Sequence, residues 1–400
     1  MRQIILYLLA AAAVLISREV NAQDCPNFSL TFNRQSALDS FPIRFPECRE
    51  TRFQVTVTGD DITDLTPLCR VKRFNSNLDI INNTSLQALP IFDSTEFIYS
   101  LEINNCSKIK NLKGLERVSG IDILRILNNK SFDSFDGLSG LSKIPQILFI
   151  ANNERLEIID NLPKSDTIRD FTIRQNKALT EVRCWDSLKV VMGIIIIDDN
   201  VRLKSIDQLN SLREVKGNLR IVNIDSIFYL PDFDSLTNVG VDLTISGKNT
   251  PSSKCKSKNI PRFPSLSFVG NTLRISSLYN SETKDYDGLN NLQTVKEIDF
   301  ALNACTNISG FNNLTSVSGR IFIDGYSNLY DLYLEEISGF NRLETVGQIY
   351  LKSNVELKKF TGFRNLRRVE TDLNLYGASL NLETFEGSCQ SGVCGQEMQI

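Results

Sequence analysis

The chain has 400 residues, with 44 Lys and Arg against 47 Asp and Glu and a formal net charge of −3. That balance supplies no basic field, so nucleic acid is not an expected partner. Histidine is absent; a Ser-His-Asp triad and an imidazole-bearing zinc site are excluded, and no metal or cofactor is expected.

Residues 1–22 read as a secretory signal. Arg2 gives the positive end, Ile4 to Ile16 the apolar core, and Val20-Asn21-Ala22 a small-residue cleavage site. The core is shorter than the ~20 residues a membrane span needs. The mature chain is expected to begin near Gln23 and to be secreted or held at the cell surface, in an extracellular space or a bacterial envelope. No later segment reads as a membrane span, and the tail 389–400 is too polar for a lipid-anchor signal.

Residues 23–54 precede the first repeat and read as an N-terminal cap. Cys25 and Cys48 bracket it and are expected to pair. Gln35 to Phe41 suits a short helix that covers the open end of the first coil.

The rest is organised by one recurring unit, clearest in Ile194 to Asn218. Apolar residues at Ile195 and Ile197 have strand spacing, while Leu203, Ile206, Leu209, Leu212 and Val215 recur every third residue. No α-helix keeps one face over four strict steps of three, because its period is 3.6. Strand starts fall at Val55, Leu78, Leu101, Leu124, Leu148, Phe171, Ile195, Leu219, Leu243, Leu273, Ile298, Ile321, Ile349 and Leu373. Most steps are 23 to 25 residues, with two longer ones of 30 and 28. A fixed period in this range predicts an all-β solenoid of about 14 rungs.

Rungs 55–242 form a regular first array. Within it Asn83, Asn129, Asn153, Asn176 and Asn200 fall at one point of the repeat, just past the strand. Stacked rungs bring such amides ~4.8 Å apart, close enough to bond one another and the turn backbone. Cys106 stands where neighbouring rungs have Asn and reads as a buried free thiol. Cys69 and Cys184 lie at similar points five rungs apart, about 24 Å by rung spacing, too far to bridge.

Residues 243–272 form an irregular rung, with the insertion GKNTPSSKCKSKNIPRFP around Cys255. Its Lys248, Lys254, Lys256 and Lys258 could attract an anionic partner, or simply form a solvated loop. A second array spans 273–388, with extra residues in YSNLYDLYLEEISGF. Cys389 and Cys394, in the tail 389–400, are placed to pair with each other.

In a strand L-x-I the x position faces outward. Most such positions are mixed polar. Near the C-terminal end, Phe322, Tyr350 and Tyr376 are expected to form an exposed aromatic strip, with Tyr326, Tyr330 and Tyr333 on the adjoining loop; such patches contact proteins or sugars. Two other readings stay open. Asp198, Asp199 and Asp225 fall at neighbouring strand ends, where carboxylates could act on a polysaccharide, and the rod could be purely structural. Sequons at Asn27, Asn82, Asn83, Asn105, Asn129, Asn307 and Asn313 arise readily in an Asn-rich repeat and do not fix the compartment.

The cap CPNFSLTFNRQSALDSFPIRFPEC, then VTVTGDDITDLTPL, and rungs such as LRIVNIDSIFYLPDFDSLTNV and IYLKSNVELKKFTGFRNLRRV resemble the receptor L-domain family. The likeness covers roughly residues 25–388, and its cap wording and long array are closest to secreted bacterial surface proteins of this class. It implies a right-handed parallel β-helix of leucine-rich-repeat-like coils. It also implies a non-enzymatic role in binding a protein or glycan ligand, with no catalytic residue to carry over.

Overall fold

The computed structural model describes residues 25–224, 226–248, 257–278, 282–301, 304–325 and 334–376, with the backbone of 384–385. Residues 1–22, read from the sequence as a signal, and Cys255, Cys389 and Cys394 lie outside the described residues. No helix among the described residues is long and apolar enough to cross a membrane.

The chain is a β-solenoid of stacked coils, nearly all parallel strand, as expected for a right-handed β-helix. Its spine is a 17-stranded parallel sheet. All the expected starts align in register, from Val55 against Leu78 to Ile349 against Leu373, with bulges only ahead of the starts, at Phe74–Asn77 and Val317–Arg320. The strand Leu243–Ser246 of the irregular rung pairs with Leu219–Val222 on one side and Thr272–Ser276 on the other, so the main sheet continues through it. Each start residue and the residue two later point into the core, where Leu78, Leu124, Ile195, Ile245 and Ile321 are all buried.

The cap is more than a lid. Leu30–Phe32 pairs in register with Val55–Val57 and adds a strand to the main sheet that the sequence pattern does not announce. The expected helix is present as Gln35–Asp39, followed by a second short turn at Phe41–Arg44. The Cys25–Cys48 disulfide forms, with Cα atoms 4.4 Å apart. Cys69, Cys106, Cys184 and Cys305 are free. Burial pushes the Cys184 and Cys305 thiols up to about 12, so neither is a nucleophile at neutral pH.

Short strands such as Glu214–Val215 and Asn238–Val239 build a second sheet just before the main one. The chain bends between the two at glycines. A Cβ on Gly217 would sit 2.5 Å from the Gly193 carbonyl oxygen of the rung below, so no other residue fits there without displacement.

The amide ladder is complete from Cys106 to Asn200. The Asn153 carboxamide accepts from the Asn129 backbone N–H (3.2 Å) and donates to the Ile126 carbonyl (2.9 Å). Asn176 repeats this with Asn153 and Ile150, and Asn200 with Asn176 and Ile173. The residue before each ladder position takes a left-handed backbone, at Asn82, Asn105, Asn128, Asn152, Gln175 and Asp199. Among residues with a side chain, Asn and Asp tolerate that conformation best, which explains the Asn-Asn pairs in the sequence.

At Cys106 the thiol replaces the amide and lies 3.3 Å from the Ile80 carbonyl. It offers no acceptor equivalent to an amide oxygen. Cys106→Asn should complete the ladder below it and raise the unfolding free energy by about 1 kcal/mol, the net scale of one hydrogen bond. Urea denaturation followed at Trp185, the sole and buried tryptophan, measures it; a loss of stability would mean the corner is too tight for the larger side chain.

The C-terminal half keeps this corner at Ser277 and Ser353 and adds a second one built on phenylalanine. Phe311, Phe340 and Phe363 are buried and stack with centroids 4.6 and 4.7 Å apart. Each holds a left-handed backbone, with φ of 64°, 59° and 59°. Beside them runs a second amide ladder, in which Asn312 donates to Asn290 and Asn341 donates to Asn312, both at 2.9 Å.

Candidate recognition face

Along each main-sheet strand, the residues before the start, after it and three after it point outward. All-parallel sheets are usually covered on both faces. Here the solenoid interior covers one face, and no described strand or helix packs on the other.

Two regions of that face are not simply polar. The first lies at its centre. Ile123 and Ile147 are register neighbours, as are Thr172 and Ile196, with Phe149 against Thr172. With Leu127 and Ile194 these side chains are only partly buried, so apolar side chains form a band on the strands flanking Phe171, interrupted on that strand by the outward Asp170 and Arg174. Following one outward column at a time does not reveal this band. Runs apolar in both phases, ILFI at 147–150 and IIII at 194–197, are the signal that could have found it.

The second region holds the predicted aromatics. Phe322 and Tyr350 are opposed in register and their rings stack at 5.5 Å, tilted by 23°. Arg320 lies over the Phe322 ring, its guanidinium carbon 5.0 Å from the centroid. Both rings are therefore partly buried against neighbours, with their edges outward. Tyr376 is 66% exposed but stands in the next column, across from Lys352, whose ammonium is 3.7 Å from Asp324. The structure thus places a stacked pair and a separate ring where the sequence suggested one strip. Gln348 donates to Asp372 beside the pair at 3.2 Å. Tyr326, Tyr330 and Tyr333 lie outside the described residues. Leu334 and Ile337, further along the same loop, are buried, and Ile337 belongs to a different sheet, so this part of the loop does not cover Tyr350.

The carboxylates weighed for polysaccharide chemistry are committed elsewhere. Asp198 accepts from Asn223 at 2.7 Å and lies 3.9 Å from Arg174. Asp199 has a left-handed backbone and lies 3.9 Å from Lys248; Asp225 is outside the described residues. In the lysine loop, Lys258 is taken by Glu282 at 2.7 Å, and Lys254 and Lys256 lie outside the described residues. A concave surface away from the outward face gathers Asp133, Asp136, Glu154, Glu157 and Asp160. Among the described residues, however, no group of three or more His, Cys, Asp or Glu is arranged to hold a metal ion. Comparison with known proteins finds no family model that matches the chain and no curated protein that matches it.

Proposed function

We propose that this protein is an exported, non-enzymatic recognition module of receptor L-domain type. It binds a protein or glycan ligand at the cell surface through the outward face of its main sheet. The observation that carries this reading is an open parallel-sheet face bearing partly exposed aromatic and aliphatic side chains. Burying such a face is favourable, and a parallel sheet ordinarily has a layer there. The Phe322–Tyr350 pair with Arg320, Gln348 and Asp372 around it offers ring edges beside hydrogen-bonding groups, a combination suited to a sugar or a polar protein loop.

The test is binding of purified Gln23–Ile400 to a combined glycan and surface-protein array, with Tyr350→Ala alongside. A ligand whose affinity falls at least about tenfold on the substitution supports the site, since an aromatic anchor at an interface is worth roughly 1–2 kcal/mol or more. A ligand indifferent to Tyr350→Ala moves the site off the aromatic pair. Absence of any ligand, or turnover of a polysaccharide on the array, overturns the recognition reading.

A further inference from the structure

A hollow of about 610 Å³ in the cap lies between two segments of chain, residues 25–27 on one side and side chains from 47–53 on the other. That volume is within the ~300–1,000 Å³ of small-ligand sites. The Cys25–Cys48 disulfide ties the two segments together. Pairing of Glu50–Thr51 with Arg73–Phe74 fixes the second segment to the main sheet. Both walls are therefore held in place before any ligand arrives, which lowers the ordering cost of binding.

The lining is mixed. Guanidiniums of Arg49 and Arg52 and carboxylates of Glu47 and Glu50 line the hollow with Asn27, and all five residues are exposed. None of the four charged groups forms an ion pair among the described residues. Arg49 donates to the Arg70 carbonyl at 3.4 Å. The hollow thus presents donors and acceptors with no net charge. Phe53, 42% exposed, supplies an aromatic wall. Phe28, 55% exposed, stands two residues before Leu30 as Phe53 stands two before Val55, and Leu30 and Val55 are register partners. Two rungs on, Tyr99 holds the same place before Leu101 and is 43% exposed.

We infer that this hollow is a binding site for a neutral glycan. An anionic ligand would meet Glu47 and Glu50, and a cationic one Arg49 and Arg52. A purely apolar ligand would strip water from all four without replacing its hydrogen bonds. A sugar hydroxyl both donates and accepts, so one ligand satisfies the guanidiniums and the carboxylates together. The C–H face of the same sugar packs on an aromatic ring such as Phe53. Tyr99 stands ~10 Å from Phe53 by rung spacing, so the exposed rings accommodate a chain of sugars continuing out of the hollow along the corner of the stack. The Phe322–Tyr350 pair lies near the opposite end of the main sheet. The inference therefore stands apart from the recognition reading.

Saturation-transfer NMR and calorimetry with neutral gluco-, manno-, galacto- and chito-oligosaccharides, on the chain from Gln23 to Ile400, test it. At least one of these sugars should bind. Phe53→Ala and Arg52→Met should each weaken that binding at least about tenfold, the loss for an aromatic or arginine anchor. Glu50→Ala should do the same, as a hydrogen bond to a charged group is lost. All three side chains are exposed, so the urea midpoint of each variant should match the wild type. Tyr350→Ala should leave the binding unchanged. Failure of every neutral oligosaccharide to bind overturns the inference. So does binding indifferent to Phe53→Ala and Arg52→Met, or binding lost with Tyr350→Ala instead. Tighter binding of a sulfated or uronate oligosaccharide than of its neutral counterpart overturns it as well.

Discussion

Phe340→Ala is expected to lower the unfolding free energy by about 3–5 kcal/mol, the range for truncating a fully buried aromatic ring. Phe340 is the middle ring of the Phe311–Phe340–Phe363 stack, so its loss removes two ring contacts and opens a cavity between rungs. Phe340→Gly should cost less than Phe340→Ala, by about 1 kcal/mol, because φ is 59° and only glycine holds that conformation without strain. This inverts the usual order of the two residues in regular structure. Urea unfolding of both variants, read at Trp185 and by circular dichroism, measures the gap. A glycine variant less stable than the alanine variant would show that the left-handed backbone at this corner carries no cost for a side chain.

The second large effect belongs to the amide ladder. Asn153→Ala leaves the Asn129 N–H and the Ile126 carbonyl without their buried partner. Each orphaned group costs about 1–3 kcal/mol, so the loss should be about 2–6 kcal/mol. Asn83 sits at the start of the ladder, and its amide oxygen has no donor. It donates to the Val57 and Ile81 carbonyls but relieves no buried N–H. Asn83→Ala should therefore be measurably milder than Asn153→Ala in the same denaturation experiment. Equal losses would mean that the amides act as separate turn braces and not as a directional chain.

Much of this architecture is legible in the sequence because the repeat is nearly exact. One wrong start would have broken the register, yet Val55 through Leu373 align strand by strand. The ladder is legible too, since a polar amide recurring at one fixed point of an otherwise apolar coil must find its partners in the rungs beside it. The second corner is not. Gly310-Phe311, Gly339-Phe340 and Gly362-Phe363 read as ordinary core positions, and nothing in their spacing announces a left-handed phenylalanine. The cap strand Leu30–Phe32 is hidden because it lacks the every-third coil that marks the rungs. On the outward face, the stacking of Phe322 on Tyr350 comes from register, whereas the other face of Phe322 is covered by Arg320, which no pattern places over a ring.

The end of the first amide ladder has a consequence for how such a chain can grow. Between Asn83 and Asn200 every strand is followed at once by a residue locked to its neighbours above and below. An added residue there would pull an amide, or the Cys106 thiol, out of line and orphan groups in two rungs. Above Asn200 the ladder position passes to Ile224, whose hydrocarbon side chain has no amide to lose. The two longest steps, 30 and 28 residues, both lie above that point. Their additional residues fall between a main-sheet strand and the segment that resumes register, at Lys258 against Phe228 and Glu335 against Thr306. Lineages of this protein can thus lengthen or exchange loops along one edge of the C-terminal half, beside the aromatic pair, while the N-terminal half holds its rung length fixed.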